Sequence, residues 1–325
     1  MRIKRNLSLM LAGVLAVFSL TGCGRLKYDM DYRSVSGISS FQVTVNEKAD
    51  MAKPFAADIC VVDGDVMDDE AIDMAGAEAA ALFDLSGKNV IYSKNAHERL
   101  YPASLTKVMT ALVALKNSSP DQMLTATDAV RITESGAQLI NLKPGDTMTL
   151  DQALHILLMY SANDVANLIA ENVGGSVDHF VEMMNDEAKL IGATNTHFVN
   201  PHGLTNEDHY TTAYDLYLIF NEAAKYDIFN EIIQMSSYQT TYTLANGKTK
   251  EVSYNTTNRF VKNDVQAPAN INVIGGKTGT TNAAGHCLIL LSRDSSGSPY
   301  ISVILRAETN DYLYQKMVEL LGQID

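Results

Sequence analysis

The sequence predicts an α+β fold in which one antiparallel sheet is built from both ends of the chain and a helical lobe is inserted between its strands. Strand-like runs occur towards both ends, whereas most of the chain between them has helical spacing. Short turns join the first two and the last two of these strands, which favours antiparallel pairing. The predicted strands are 79–84, 90–93, 270–275, 285–292 and 300–306.

The first 22 residues are typical of an export signal, because a basic start is followed by an apolar run too short to span a bilayer. The run ends in Leu20-Thr21-Gly22-Cys23, which resembles the lipobox of bacterial lipoproteins. We therefore expect Cys23 to be lipidated and to anchor the chain to the membrane. The alternative is an ordinary secretory signal with a chance cysteine. Residues 23–75 lack sustained periodicity and are acidic, so we expect a tether ahead of a domain at 76–325.

Helical spacing begins after Pro102, where Val108, Ala111 and Leu115 recur on one face. Thr149 and Gln152 form a capping-box pattern at the start of a second helix. The remaining predicted elements are helices at 163–172, 176–191, two within 212–236 and 309–321, and a peripheral hairpin at 238–244 and 251–256.

Composition excludes some classes of function. Removing residues 1–22 takes away three of the 25 basic residues, which leaves 22 against 38 acidic ones and a net charge of −16. Such a surface repels polyanions, so we expect no nucleic-acid partner. Cys60 and Cys287 fit no metal or redox spacing, and we expect Cys287 to be a small buried side chain rather than half of a disulfide.

Ser104 and Lys107 are the first candidates for chemistry. Lys107 lies one helical turn after Ser104, so both side chains share a face. A serine hydroxyl becomes a nucleophile when a neighbour takes its proton, and a lysine can do so when burial or a nearby cation lowers its pKa. By itself the spacing is weak, since a helix-capping serine followed by a solvated lysine would look the same.

Two further motifs follow Ser104 and Lys107 along the chain. Ser161-Ala162-Asn163 comes after an apolar helix, and Lys277-Thr278-Gly279 comes after the strand-like run 271–274. This trio of motifs is typical of penicillin-binding proteins and class A β-lactamases. With the flanking phrase Asn200-Pro201-His202-Gly203-Leu204, residues 76–322 resemble the serine-type D-alanyl-D-alanine carboxypeptidases (peptidase S11), the low-molecular-mass penicillin-binding proteins.

The resemblance implies the β-lactamase/transpeptidase-like fold and a peptidoglycan stem peptide ending in D-Ala-D-Ala as substrate, with β-lactam antibiotics as inhibitors. Ser104 would attack the penultimate carbonyl and Lys107 would act as its base. Ser161 would relay a proton to the leaving D-alanine, while Asn163 would bind the substrate amide and hold Lys107. The enzyme would work outside the cytoplasm, with an anchor at Cys23 in place of the C-terminal anchor of larger relatives.

The third motif would bind the substrate. Lys277 and the Thr278 hydroxyl would hold the terminal carboxylate, and Lys277 would lower the pKa of Lys107 by like-charge repulsion. Gly279 would let the substrate backbone lie close to the strand. The backbone N–H groups of Ser104 and Thr280 would form the oxyanion hole.

Two other functions remain as alternatives. A serine β-lactamase shares the three motifs but needs a deacylating base, and the nearest match to the class A pattern, Glu251 to Asn255, is off by one residue and resembles a strand. A catalytically silent wall-binding lipoprotein would have no need to keep all the motif residues. We expect no cofactor and no metal site, and His202 and His209 are expected to support a loop.

Overall fold

The computed structural model describes residues 57–66 and 72–324. The expected signal peptide, the expected lipidation site Cys23 and most of the expected tether lie outside these residues. The described part contains nine strands and seven α-helices. The strands are β1 Ala77–Asp84, β2 Asn89–Lys94, β3 Met123–Thr125, β4 Thr147–Thr149, β5 Ser237–Thr243, β6 Thr249–Asn255, β7 Asn272–Thr281, β8 Gly285–Arg293 and β9 Pro299–Ala307. The helices are α1 Thr106–Asn117, α2 Leu150–His155, α3 Asn163–Gly174, α4 Val177–Leu190, α5 Ala213–Ala223, α6 Asp227–Ile233 and α7 Asn310–Leu321.

The main sheet has five strands in the order β2-β1-β9-β8-β7, and every pairing is antiparallel. It is built from both ends of the domain, as the sequence predicted. Alternate side chains serve two cores: Ile289 and Val303 face the helical lobe, whereas Leu288 and Leu290 pack with α7. Strand β7 stands at one edge, with β8 as its partner.

Helix α1 is the centre of the helical lobe. Its residues from Thr106 to Ala114 are all buried, and it packs against α3, α4 and α5. A helix that is buried all round belongs in the interior of a domain, so α1 holds its N-terminal turn in a fixed place. A second sheet, in the order β3-β4-β5-β6, lies at the side of the lobe and contains the predicted hairpin.

Local signals in the sequence place several element boundaries. The Thr149 hydroxyl accepts from the Gln152 N–H and the Gln152 side chain accepts from the Thr149 N–H, so the predicted capping box is confirmed. Ser176 caps α4 with its side-chain oxygen, which accepts from the His179 N–H. Helix α3 ends at Gly175, whose φ of +77° is a conformation that glycine adopts without strain.

The short strands β3 and β4 were not predicted, and three predicted elements differ in the structure. Ser104 lies in a short 3-10 turn, Ala103–Leu105, and the regular helix begins at Thr106. The helix that follows Thr149 ends in a π-helical turn, Ile156–Tyr160, instead of running on as regular α-helix. Strand β7 continues to Thr281, so the Lys-Thr-Gly motif lies within the strand and not after it.

Residues 57–66, the N-terminal strap, pack on the domain although the sequence led us to expect a tether as far as residue 75. The Cys60 N–H donates to the Tyr217 hydroxyl, and Tyr214 donates to the Cys60 carbonyl. At the other end of the strap Val66 exchanges two backbone hydrogen bonds with Ser93 of β2. The strap makes these hydrogen bonds with its backbone groups, so the periodicity of its side chains could not predict them. Residues 57–66 are therefore part of the folded domain and not of a tether.

Candidate active site

The three motifs converge where the β7 edge meets the helical lobe. Ser104 lies in the turn that leads into α1, Ser161 directly follows the π-helical turn, and Asn163 is the first residue of α3. Lys277 and Gly279 are on β7, paired with Ile289 and Cys287 of β8. Because cross-strand partners share a face, Lys277 points to the lobe side of the sheet. The fold therefore gathers residues from three distant parts of the chain.

Lys107 is completely buried, and its Nζ lies within hydrogen-bond distance of three oxygens. The distances are 2.9 Å to Ser104 Oγ, 2.7 Å to Asn163 Oδ1 and 2.7 Å to the His202 carbonyl oxygen. Ser104 does not cap the helix with its hydroxyl. The alternative interpretation of this spacing, a helix-capping serine followed by a solvated lysine, is therefore wrong.

Burial and charge both act on this lysine. Removal from water disfavours the ammonium form and is the main cause that lowers the pKa of Lys107 well below its usual range. The Lys277 charge lowers that pKa further, and Asp164 opposes the change. The Asp164 carboxylate acts on the lysine through its charge. Its hydrogen bonds are accepted from the N–H groups of Ile140, Leu142 and Val165.

Lys277 is the second buried cation of the site. Its Nζ donates to Ser161 Oγ at 2.9 Å and to the Thr278 carbonyl at 2.9 Å. Burial lowers the pKa of Lys277 to about 7. At neutral pH, therefore, both charged and neutral forms of Lys277 are populated in the free protein.

The backbone presents Ser161 in an unusual conformation. Ser161 has φ +69° and ψ +31°, the left-handed region that L-residues other than glycine rarely occupy. It follows directly on the π-helical turn, and its N–H donates to the Ile156 carbonyl. Such strain is kept where the surrounding structure holds a residue in place, commonly in binding and catalytic sites. The conformation directs the Ser161 hydroxyl to Lys277.

The Thr278 hydroxyl has a partner that the sequence did not indicate. It lies 2.5 Å from the hydroxyl of Thr257, in the segment between β6 and β7. The Thr257 N–H donates to the Met159 carbonyl, which ties this segment to the turn before Ser161. Thr257 carries no motif of its own. Only its place directly after the predicted hairpin strand 251–256 could have drawn attention to it.

The two histidines near the Asn-Pro-His-Gly phrase have supporting positions, as expected. The His202 ring is buried and its Nδ1 accepts from the Leu204 N–H, while its carbonyl reaches Lys107. His209 contacts the Thr106 hydroxyl at 2.8 Å. Burial lowers the pKa of both histidines to about 3, so both are neutral at physiological pH.

Two glycines allow elements to approach the Ser104 turn. A Cβ on Gly203 would lie 1.8 Å from the Ala103 carbonyl oxygen, and Gly203 also has φ +87°. A Cβ on Gly279 would lie 3.0 Å from the Ser104 nitrogen. The expected reason for Gly279 was room for a substrate backbone. The structure adds a second reason, because the Ser104 turn itself packs against this point of β7.

Other chemistry has less support in the described ranges. Among residues 57–66 and 72–324, no three His, Cys, Asp or Glu side chains cluster as metal ligands would. No helix in this part of the chain combines the length and hydropathy needed to cross a bilayer. Cys287 is buried as predicted, and both Cys60 and Cys287 are free thiols. Burial raises the pKa of Cys287 to about 12.

The geometry can be compared with known proteins. The sequence profile of the family described as D-alanyl-D-alanine carboxypeptidase, Peptidase_S11, matches residues 67–309. The chain belongs to this family. The match includes all three motifs, and the resemblance inferred from them is confirmed.

Curated members of the family provide relatives at moderate identity. The chain is 36% identical to the D-alanyl-D-alanine carboxypeptidase DacF of Bacillus subtilis, over 72% of this chain and 58% of DacF. It is 32% identical to DacC of Escherichia coli, over 75% of this chain and 60% of DacC. The chain thus spans about three-fifths of the length of these carboxypeptidases.

Solved structures of the family confirm the fold. The crystal structure of the Streptomyces K15 DD-transpeptidase superposes with a TM-score of 0.70 at 25% identity. The superposition covers 76% of this chain and 96% of the transpeptidase. The predicted β-lactamase/transpeptidase-like fold, with its sheet built from both chain ends, is therefore confirmed for this family member.

Proposed function

We propose that this protein is a serine D-alanyl-D-alanine carboxypeptidase, which removes the terminal D-alanine from peptidoglycan stem pentapeptides through an acyl-enzyme on Ser104. The observation that carries the proposal is the set of partners around the Lys107 nitrogen. The proposal also draws on the family to which the chain belongs and on the names of its carboxypeptidase relatives.

A neutral lysine has two N–H groups and one lone pair. Two of the three oxygens around Lys107 belong to carbonyl groups, Asn163 Oδ1 and the His202 backbone, and can only accept. Together they take both hydrogens of the amine. The lone pair is then left for the third partner, the Ser104 hydroxyl at 2.9 Å, which is the arrangement a general base requires.

The substrate carboxylate would bind to Lys277, whose buried ammonium has one hydrogen left beyond those used by Ser161 and the Thr278 carbonyl. The Thr278 hydroxyl, positioned by Thr257, would donate a second hydrogen bond. An anion beside Lys277 favours its charged form, so substrate binding would raise its pKa above the value of about 7 in the free protein. Because Lys277 and Thr278 would bind a carboxylate, the enzyme would prefer a peptide substrate with a free C-terminus.

The chemical step follows from this placement. Lys107 takes the Ser104 proton as Ser104 Oγ attacks the penultimate carbonyl, and the N–H groups of Ser104 and Thr280 hold the oxyanion. The C–N bond then breaks, and the proton passes through Ser161, which lies next to Lys277, to the departing amine of D-alanine. Water releases the acyl group. A β-lactam would acylate Ser104 by the same route.

The alternatives have weaker support. The Glu251 to Asn255 pattern lies in β6, where it forms regular antiparallel pairs with β5, so it does not supply the loop of a class A β-lactamase. The Asp164 carboxylate near the site is occupied by three backbone N–H groups. A silent wall-binding protein would have no use for a desolvated lysine beside a serine.

We further propose that the protein is exported and held at the outer face of a bacterial membrane by a lipid on Cys23. The support is the lipobox-like sequence Leu20-Thr21-Gly22-Cys23 after a basic and apolar start. Mass spectrometry of the N-terminal peptide would test this, with Cys23→Ser as the comparison. An unmodified Cys23, or a chain that retains residues 1–22, would contradict the anchor.

The experiment that tests the activity joins two measurements on purified protein. Intact-mass spectrometry with benzylpenicillin reports acylation, and release of D-alanine from a stem pentapeptide reports turnover. We expect a long-lived adduct and D-alanine release, both abolished in Ser104→Ala and both kept in the surface variant Ser86→Ala. Rapid adduct loss with hydrolysed antibiotic would indicate a β-lactamase. Neither adduct nor release would favour the silent protein.

A further inference from the structure

The peptide bond between Ala103 and Ser104 lies in a constrained turn. Ala103 has φ +47°, in the left-handed region that residues other than glycine rarely occupy. The N–H of this peptide belongs to Ser104 and is one of the two proposed oxyanion-hole donors. A peptide unit is planar, so the groups that hold its carbonyl oxygen also fix the direction of its N–H. The contacts of the Ala103 carbonyl therefore bear on the oxyanion hole.

Thr106 holds that carbonyl. Its hydroxyl donates to the Ala103 oxygen at 2.8 Å, and its backbone N–H donates to the same oxygen. Gly203 packs closely here as well, since a Cβ at residue 203 would lie 1.8 Å from this oxygen. Helical threonines often bond back to a carbonyl three or four residues earlier, so the hydroxyl contact would be ordinary if it stood alone. A second partner of the Thr106 hydroxyl sets it apart.

The second partner is His209, which is 103 residues further along the chain. Its Nε2 lies 2.8 Å from the Thr106 hydroxyl oxygen, and both residues are buried. The Val199 N–H donates to Nδ1 of the same ring at 3.1 Å. Burial lowers the pKa of His209 to about 3, so the imidazole is neutral. Because Nδ1 accepts a hydrogen bond, the single ring hydrogen must be on Nε2.

These hydrogen bonds run in one direction. A threonine hydroxyl has one hydrogen, and that of Thr106 points to Ala103, so the hydroxyl oxygen accepts from His209. Each donor in such a chain is polarised by the one before it, which strengthens the pull on the carbonyl and makes the N–H of the same peptide more polar. The nitrogen end of the peptide lies against β7, where a Cβ on Gly279 would be 3.0 Å from Ser104 N.

We propose that His209 and Thr106 are positioning residues of the oxyanion hole, which aim the Ser104 N–H at the developing oxyanion. The side-chain hydrogen bonds of both residues go to Val199, to Ala103 and to each other, so they act on the reaction through the Ser104 peptide. The inference rests on the proposed acyl-enzyme and adds two residues to it that the three motifs do not specify.

The test observes the oxyanion hole directly. Benzylpenicillin carrying an isotope label at its β-lactam carbonyl carbon would form an acyl-enzyme whose ester carbonyl lies in the hole. The infrared difference between labelled and unlabelled adducts isolates the stretching band of that carbonyl. Hydrogen bonds weaken the C=O bond, so a well-aimed Ser104 N–H keeps the band at low wavenumber. Only folded protein forms the adduct, so misfolded molecules do not contribute to the band.

Two pairs of variants separate the role in the hole from structural support. Thr106→Val keeps the side-chain shape and removes the hydroxyl, whereas Thr106→Ser keeps the hydroxyl. His209→Gln places an amide near Nε2, where it can donate to Thr106, whereas His209→Asn places one near Nδ1, where it can accept only from Val199. If one disruptive variant does not fold, the other pair still decides. The matched control is Thr110→Val, which removes a buried α1 hydroxyl that donates to the Pro201 carbonyl.

We expect Thr106→Val and His209→Asn to shift the band to higher wavenumber and to slow acylation by about tenfold, since complete removal of an oxyanion-hole donor costs about a hundred- to a thousandfold. Thr106→Ser, His209→Gln and Thr110→Val should keep the wild-type band. A wild-type band in both disruptive variants, or an equal shift in Thr110→Val, would overturn the positioning role while the adduct still supported the acyl-enzyme. If the wild-type protein forms no adduct, the proposed acyl-enzyme is overturned and this inference with it.

Discussion

Asn163→Asp offers a direct test of Lys107 as the general base. The substitution keeps the size of the side chain but places a carboxylate 2.7 Å from the Lys107 nitrogen. At an effective dielectric constant of about 20, two unit charges at this distance attract by about 6 kcal/mol. Burial of the new carboxylate offsets part of this attraction. The remainder favours the ammonium form and raises the pKa of Lys107, opposite to the effect of burial and Lys277 in the wild-type site.

A lysine held as ammonium has no lone pair with which to accept the Ser104 proton. If only about 2.7 kcal/mol of the attraction survives, the balance between neutral and charged Lys107 shifts by about a hundredfold toward the ammonium form, since each 1.4 kcal/mol is tenfold, and acylation at pH 7 falls. Raising the pH restores the neutral amine, so the rate of the variant relative to the wild-type rate at the same pH should climb by up to about tenfold per pH unit, because loss of the Lys277 charge affects both proteins alike. The assay is the second-order rate of Ser104 acylation by a fluorescent penicillin between pH 6 and pH 10.

The control for this experiment is Asn310→Asp. It adds the same charge at the exposed start of α7, on the face of the sheet away from the lobe, where an acidic residue suits the helix N-terminus. It should acylate at the wild-type rate and with the wild-type pH profile. Normal acylation by Asn163→Asp at pH 7, or a deficit that alkaline pH does not relieve in folded protein, would refute Lys107 as the base.

Three further predictions concern neighbouring features of the site. The value of kcat/KM should decline as pH rises through about 7, because Lys277 of the free protein loses the charge that binds the substrate. Lys277→Arg should remove this decline. The same decline in that variant would count against Lys277 as its cause. Gly203→Ala should lower the free energy of unfolding in urea by at least about 2 kcal/mol, because residue 203 has a positive φ and the new Cβ would lie 1.8 Å from the Ala103 carbonyl oxygen. Gly247 has a similar φ but open space around it, so Gly247→Ala should lower the free energy of unfolding by only about 1 kcal/mol. Equal losses in the two variants would contradict the clash. Thr257→Val should raise KM for D-alanine release by about three- to tenfold with a smaller change in kcat, because the hydrogen bond to the Thr278 hydroxyl is lost. An unchanged KM would mean that the Thr257 hydroxyl does not position the carboxylate site.

Elements fixed by local interactions could be predicted from the sequence. The capping box of Thr149 and Gln152 involves groups three residues apart, and the structure has both of its hydrogen bonds. The order of strands and helices followed from periodicity and turn residues. By contrast, the π-helical turn before Ser161 depends on contacts with distant segments, including the Thr257 N–H at the Met159 carbonyl, and such contacts leave no periodic trace.

The candidate site was predictable in its side chains and less so in its backbone. Three short motifs gave Ser104, Lys107, Ser161, Asn163 and Lys277, and the structure brings them together. The third partner of Lys107 is a backbone carbonyl, which any residue at position 202 could supply. The strained conformation of Ser161 was also hidden, because serine does not favour a positive φ.

The N-terminal strap has a mechanical consequence. Val66, at its C-terminal end, pairs with β2, which lies four strands away from β7, or about 19 Å across the sheet. Tension that arrived along the preceding chain would first load the contacts of Ala57 and Asp58 with Lys88, then the hydroxyls that bond Cys60, and then the Val66–Ser93 pair. None of these contacts involves β7, so the strap fastens the start of the domain away from the edge that carries Lys277.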